Sequence, residues 1–170
     1  MVLRVCFFKV LCLLIVATIV SGCSEKEPVK VVEQQKSLVV LPAALDVFKS
    51  PTCGCCGKWV EHVEGGGFAA ETHHPDDLNG LKQQLGVAAQ FQSCHTAVSK
   101  DGYVFEGHIP TDIMQRFLAE KPAGALGLAV PGMPMGSPGM EMGDRRDSYD
   151  VLLLMKDGSA RVYQHVAAGF

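Results

Sequence analysis

The chain has 170 residues, nearly half of them apolar, and a formal charge of −3; that length supports one compact domain. It has no Lys/Arg cluster and no basic stripe, which excludes the phosphate-neutralising surface of a nucleic-acid-binding protein. Part of the apolar excess is concentrated in one N-terminal run, and the remainder has the composition of an ordinary soluble domain.

In that run Arg4 and Lys9 precede an apolar stretch from Val10 to Val20, followed by the small residues Ser21 and Gly22 and then Cys23. The stretch is shorter than the roughly 20 residues that a bilayer-spanning helix needs, and its flanks are those of an export signal, residues 1–22. Val20-Ser21-Gly22-Cys23 resembles the lipobox of bacterial lipoproteins, in which the Cys becomes the lipidated first residue of the mature chain. Its acyl chains, palmitate among them, supply the two hydrophobic signals that stable anchoring requires. Ser24 is not Asp, and by resemblance to enteric lipoproteins this implies an outer-membrane anchor with the protein facing the periplasm; in a host with one membrane it implies the outer face of the cell. Loss of residues 1–22 removes Arg4 and Lys9 and no acid, taking the charge from −3 to −5. Residues 23–43 are then a polar, aperiodic tether, and residues 44–170 the folded domain.

Leu45 to Lys49 alternates as a short strand, closed by the turn residues Ser50-Pro51-Thr52. Lys58 to Val63 is the body of a helix, ended by Gly65-Gly66-Gly67. Trp59 and Val63, four apart, pack under a sheet. Phe68 to Thr72 suits a second strand, and Leu78, Leu81 and Leu85 recur at helical spacing before Gly86. Thr96-Ala97-Val98 and Tyr103-Val104-Phe105 flank Asp101-Gly102, a hairpin signal. A third helix is expected from Thr111 to Glu120. A Pro/Gly/Met-rich loop follows at Val130–Met140, then a second Asp-Gly hairpin from Tyr149–Met155 and Ala160–Val166. This order predicts an α/β, thioredoxin-like three-layer sandwich with an added Met-rich loop and a C-terminal β-hairpin.

Of seven cysteines, Cys6 and Cys12 leave with the signal and Cys23 is taken by lipid, leaving Cys53, Cys55, Cys56 and Cys94. Cys53 lies at a strand-to-helix junction, where the helix dipole favours thiolate. Three readings compete. In an oxidising compartment the four could be structural disulfides, although the crowding of Cys53, Cys55 and Cys56 makes two unstrained bridges there awkward; a single Cys53–Cys56 or Cys56–Cys94 bridge stays open. Alternatively Cys53-Gly54-Cys55-Cys56 is a redox CxxC, Cys53 attacking and Cys56 resolving. Typical oxidoreductases of this fold, however, set a cis-proline opposite the CxxC, where this chain has Ser93-Cys94-His95-Thr96. The third reading is a metal site, since Cys94 and His95 approach the CxxC across the sheet end and gather thiolate and imidazole donors. His108 leaves the fourth strand near the same end and is either a further ligand or an exposed loop histidine. His73, His74 and His165 are assigned no role.

Softness selects the metal. Met133, Met135, Met140 and Met142 crowd one loop, and zinc rarely uses thioethers whereas copper(I) prefers thiolates and thioethers. An adaptable partner-contacting surface is the other reading of those methionines.

The motifs 49–56, 93–97, 106–110 and 127–134 together resemble a family of small exported predicted metal-binding proteins, formerly a domain of unknown function, associated with copper resistance. The resemblance spans roughly residues 45–166. It implies a thioredoxin-like domain holding copper through Cys53, Cys56, Cys94 and His95, with His108 less securely placed, Met133 and Met135 auxiliary, and Cys55 inside the motif. The expected function is a periplasmic copper-binding lipoprotein that buffers, transfers or redox-handles copper, working with other periplasmic copper-handling proteins. The alternative is a membrane-tethered thiol-disulfide oxidoreductase using Cys53 and Cys56.

Overall fold

The computed structural model describes residues 43–169; the expected export signal, Cys23 and the tether up to residue 42 lie outside the described residues. The chain enters at β1 (Ala43–Lys49), in which Leu45, Val47 and Lys49 are buried on one face, the period of two that a half-covered strand requires. Helix α1 (Gly54–Gly65) buries Cys56, Trp59 and Val63 along one stripe at helical spacing. Strand β2 (Phe68–His73) returns parallel to β1, and α2 (Leu78–Gln84) follows, capped by the Asp77 carboxylate. A short 3-10 turn at Ala89–Phe91 leads to β3 (His95–Ser99) and β4 (Val104–Glu106), antiparallel neighbours joined through Asp101-Gly102. Helix α3 (Thr111–Glu120) is followed by β5 (Ala125–Ala129), β6 (Tyr149–Met155) and β7 (Ala160–Val166).

The seven strands form one sheet in the order β2-β1-β3-β4-β5-β6-β7. Alternation along its central strands sorts the core into two layers. Val47, Ala97, Phe105, Leu128 and Leu153 pack with Trp59 and Val63 of α1 and Ile113, Met114 and Phe117 of α3 on one face. Their neighbours Val104, Ala129 and Leu154 pack with Val87, Leu85 and Phe91 beside α2 on the other. The result is the three-layer α/β sandwich expected from the sequence, with Trp59 and Val63 under the sheet.

The C-terminal hairpin of β6 and β7 is present, but it does not pair with β4 directly. It is spliced on through β5, which pairs parallel with β4 and antiparallel with β6, a strand that the sequence reading left unassigned. β5 is buried on both faces, so it carries no alternation, the usual signature of a strand between two covered faces. Gly127 sits in its middle because a side chain there would overlap the backbone of Val104 on β4.

Candidate metal centre

The site lies where β1 ends, α1 begins and β3 starts. The turn after β1 is held by the Cys53 N–H donating to Ser50 O at 3.2 Å, and Cys53 is the N-cap of α1, its sulfur accepting the Cys56 N–H at 3.4 Å. Helix phase then turns Cys56 inward with Trp59 and leaves Cys55 half-exposed. Cys53 and Cys56 are joined as a disulfide, while Cys55 and Cys94 are free thiols. The Cys55 sulfur lies 3.5 Å from that of Cys53, and the sulfurs of Cys53, Cys55, Cys56 and Cys94 are all within 4.8 Å of one another.

Cys94 belongs to a second constellation as well. Its sulfur is 3.3 Å from Nδ1 of His95 and 3.0 Å from Nε2 of His108. His95, the first residue of β3, points into the α1 face of the sheet, its ring 4.3 Å from that of Trp59 and edge-on to His108 at 5.0 Å. His108 follows β4 at the same sheet end. Its Nδ1 faces Pro138 O at 2.8 Å; a carbonyl can only accept, so Nδ1 carries the proton and Nε2 turns a lone pair toward Cys94. A backbone carbonyl fixing the far nitrogen of an imidazole is the usual support of a metal-ligating histidine.

Electrostatics keeps this group neutral. Burial, reinforced by the adjacent Cys55, pushes the Cys94 thiol up to about 11. Burial also pulls His95 well below its ordinary value, with His108, Lys82 and Lys49 adding to the effect, and it lowers His108 against the opposing pull of the Pro138 carbonyl and Glu141. Both rings are thus uncharged at neutral pH, each with one nitrogen lone pair available to a metal. His95 Nε2 is buried with no hydrogen-bond partner among the described residues. A fully buried imidazole whose other nitrogen meets only a sulfur serves structural hydrogen bonding poorly, and the sulfur-nitrogen donor set fits a soft or borderline metal.

The Met-rich loop closes over the first turn of α1. Gly139, at φ +84°, passes so near that a Cβ there would stand 2.6 Å from Cys55 O and 2.9 Å from Trp59 N. This contact places Pro138 against His108. Beside it opens a cleft of about 480 Å³ lined by Cys55, Lys58, Met133, Met140 and Met142 among others.

The structure therefore brings Cys53, Cys55, Cys56, Cys94, His95 and His108 together, and His108 is a buried member of the cluster rather than an exposed loop histidine. Cys53 and Cys56, expected as thiolate ligands, are bonded to each other here, so only the reduced pair has free sulfurs to offer. Met133 lines the cleft, whereas Met135 does not; Met140 and Met142 stand there instead, and the Met135 N–H is held by Asp147 at 3.1 Å. His73 and His165 face Asp46 and Asp150, and His74 faces Lys49 O. The sequence reading missed the Pro138 carbonyl and a buried Lys82–Glu106 pair behind Cys94. The first depends on the loop's path. The second joins residues 24 apart, with no local signal.

A thioredoxin-like α/β sandwich with a buried Cys/His cluster at one sheet end is the class that fold and site define. Residues 91–140 match a family described as "Protein of unknown function, DUF411", and no curated protein matches the chain. Two solved structures, copper resistance protein CopG in form 1 and form 2, are 44% and 43% identical to it. Each likeness covers 74% of this chain and 98% of the other, with a TM-score of 0.69. The chain belongs to the CopG family.

Proposed function

We propose that this protein captures copper(I) outside the cytoplasm, with Cys94, His95 and His108 as the core of the site and the Cys53/Cys56 pair setting how much copper it holds. The observation that carries the proposal is the position of the Cys94 sulfur, shared between two neutral imidazole nitrogens and the cluster of three further cysteine sulfurs. Reduction of the Cys53–Cys56 bond, by two electrons and two protons from an external dithiol, adds two thiols beside Cys94 and enlarges the donor set. Oxidation withdraws them. Copper is favoured over zinc by the three methionines that line the adjoining cleft, since thioethers suit copper(I). The copper-resistance name of the CopG relatives supports the same reading.

Location follows from the sequence proposal: residues 1–22 direct export, and Cys23 carries the lipid that holds residues 44–170 at the periplasmic face of the outer membrane. Copper stoichiometry of the full-length protein, measured by metal analysis after anaerobic exposure to copper(I) with and without a disulfide reductant, tests the function. Labelling the protein with palmitate, and the loss of label in Cys23→Ser, tests the anchor.

The second reading, a thiol-disulfide oxidoreductase, is favoured by one observation, the disulfide capping a helix N-terminus. It requires turnover of a disulfide substrate by metal-free protein, and inertness in that assay removes it.

A further inference from the structure

Behind the Cys94-His95 dipeptide, on the opposite face of the sheet, lies a fully buried ion pair that the copper chemistry does not itself use. Lys82 of α2 and Glu106 of β4 are 1% and 0% exposed at their side chains and bonded to each other. Among the described residues, their remaining side-chain bonds go to the residues flanking the dipeptide. Glu106 Oε1 accepts the Ser93 N–H at 2.6 Å, Lys82 Nζ donates to Ser93 O at 2.9 Å, and Glu106 Oε2 accepts the Thr96 hydroxyl at 2.5 Å. Both backbone polar groups of the residue before Cys94, and the side chain of the residue after His95, are thus held by one pair of charges.

Strand alternation explains the arrangement. His95 and Ala97 face α1 and α3, so Thr96 faces α2; Phe105 likewise faces α1 and α3, so Glu106 faces α2. Thr96 and Glu106 are direct partners across the β3–β4 ladder. The segment occupies the place where typical proteins of this fold are stiffened by a cis-proline, a residue absent here.

We propose that Lys82 and Glu106 are positioning residues, a buried clasp that fixes the backbone on both sides of Cys94-His95 and so aims the Cys94 sulfur and the His95 ring at His108. A buried pair suits this task because each charge, left alone, is strongly disfavoured, so the two enforce one geometry. The inference rests on the proposed copper site for its consequence, though not for its test in metal-free protein.

The experiment compares K82M/E106L, in which apolar side chains of similar size remove the clasp, with K82M/E106Q, which restores a neutral acceptor and donor to Ser93 and Thr96. T96V, a milder single change, covers the event that the double variants do not fold. V151A on β6 serves as a control for general loosening of the core. In full-length, reduced, metal-free protein, exchange of the Ser93 amide and the ¹⁵N shifts of the His95 ring are recorded by NMR; copper(I) affinity is then measured by competition with a chromophoric chelator. The clasp requires faster Ser93 exchange and shifted His95 nitrogens in K82M/E106L, with affinity lowered about tenfold, the scale on which outer-shell partners tune metal sites. It requires recovery of most of the loss in K82M/E106Q, a shifted His95 ring in T96V, and no change in V151A. Wild-type behaviour of K82M/E106L and T96V, failure of the Gln variant to recover, or an equal loss in V151A overturns it. If the wild-type protein takes up no copper the proposed function fails, and the metal-free NMR measurements still decide the clasp.

Discussion

The Cys94 sulfur stands 3.0 Å from Nε2 of His108, a nitrogen left unprotonated because the opposite side of the ring donates to Pro138 O. Cys94 is also the one residue common to the four-sulfur cluster and the Cys/His₂ cluster. Replacing it divides the site. Cys94→Ser is expected to lower copper(I) affinity about 100-fold or more, while Cys55→Ser, which alters the sulfur cluster and leaves the Cys/His₂ cluster intact, costs less. Chelator competition on the reduced protein checks both, and equal losses contradict the ranking.

The tautomer of His108 can be observed directly. In metal-free protein at neutral pH, ¹⁵N NMR should find the proton on Nδ1, as its carbonyl partner demands. Copper binding should then shift Nε2 far more than Nδ1. A resting Nε2–H form would mean that the ring is not prepared for Cys94.

Gly139→Ala tests the loop without touching a donor. At φ +84° an L side chain is strained, and here it would also meet Cys55 O and Trp59 N. The expected cost is about 1–3 kcal/mol from the backbone strain alone, with the steric overlap adding to it. Displacement of Pro138 should free His108 and weaken copper binding; denaturant unfolding and copper affinity, measured together, check the two effects.

Two pH dependences follow from the site's neutrality. Because the Cys94 thiol is pushed up to about 11, copper must displace its proton, and affinity should fall about tenfold for each pH unit of acidification near neutrality. Stability responds through the histidines. Burial lowers His95 and His108 in the folded protein, so as pH drops below the ordinary value of 6.5 the unfolded chain binds protons that the native state refuses. Their contribution is therefore complete above that pH and is lost on acidification, by about 1.4 kcal/mol per pH unit for each histidine while its native form stays neutral. His95→Phe keeps a ring beside Trp59 and should make the acid-induced loss shallower by one such increment in metal-free protein. An unchanged slope would show that His95 is protonated in the folded protein.

How much of this was legible in the sequence depended on the range of the interaction. The Cys53 N-cap, the stripe of Cys56, Trp59 and Val63, and the two Asp-Gly hairpins are set by neighbours a few residues apart, and each lies where local rules place it. β5 was hidden because burial on both faces erased its alternation. The side chains of Cys94, His95 and His108 meet only because β3 and β4 pair at one sheet end, which the topology expected from the sequence already implied. The roles of Met140 and Met142 over Met135, of the Pro138 carbonyl, and of Lys82 with Glu106 depend on the path of a loop and on contacts across the sheet, for which composition and spacing carry no sign.

The central claim is that the Cys53/Cys56 pair governs copper loading around Cys94. Copper per chain, counted together with reactive thiols under anaerobic conditions in the full-length protein before and after reduction of the disulfide, tests it most directly. More copper bound by the reduced form, protection of the newly released thiols by that copper, and a collapse of binding in Cys94→Ser are the results the account expects. Equal loading in both redox states, or a reduced protein whose thiols stay reactive in the presence of copper, would contradict it.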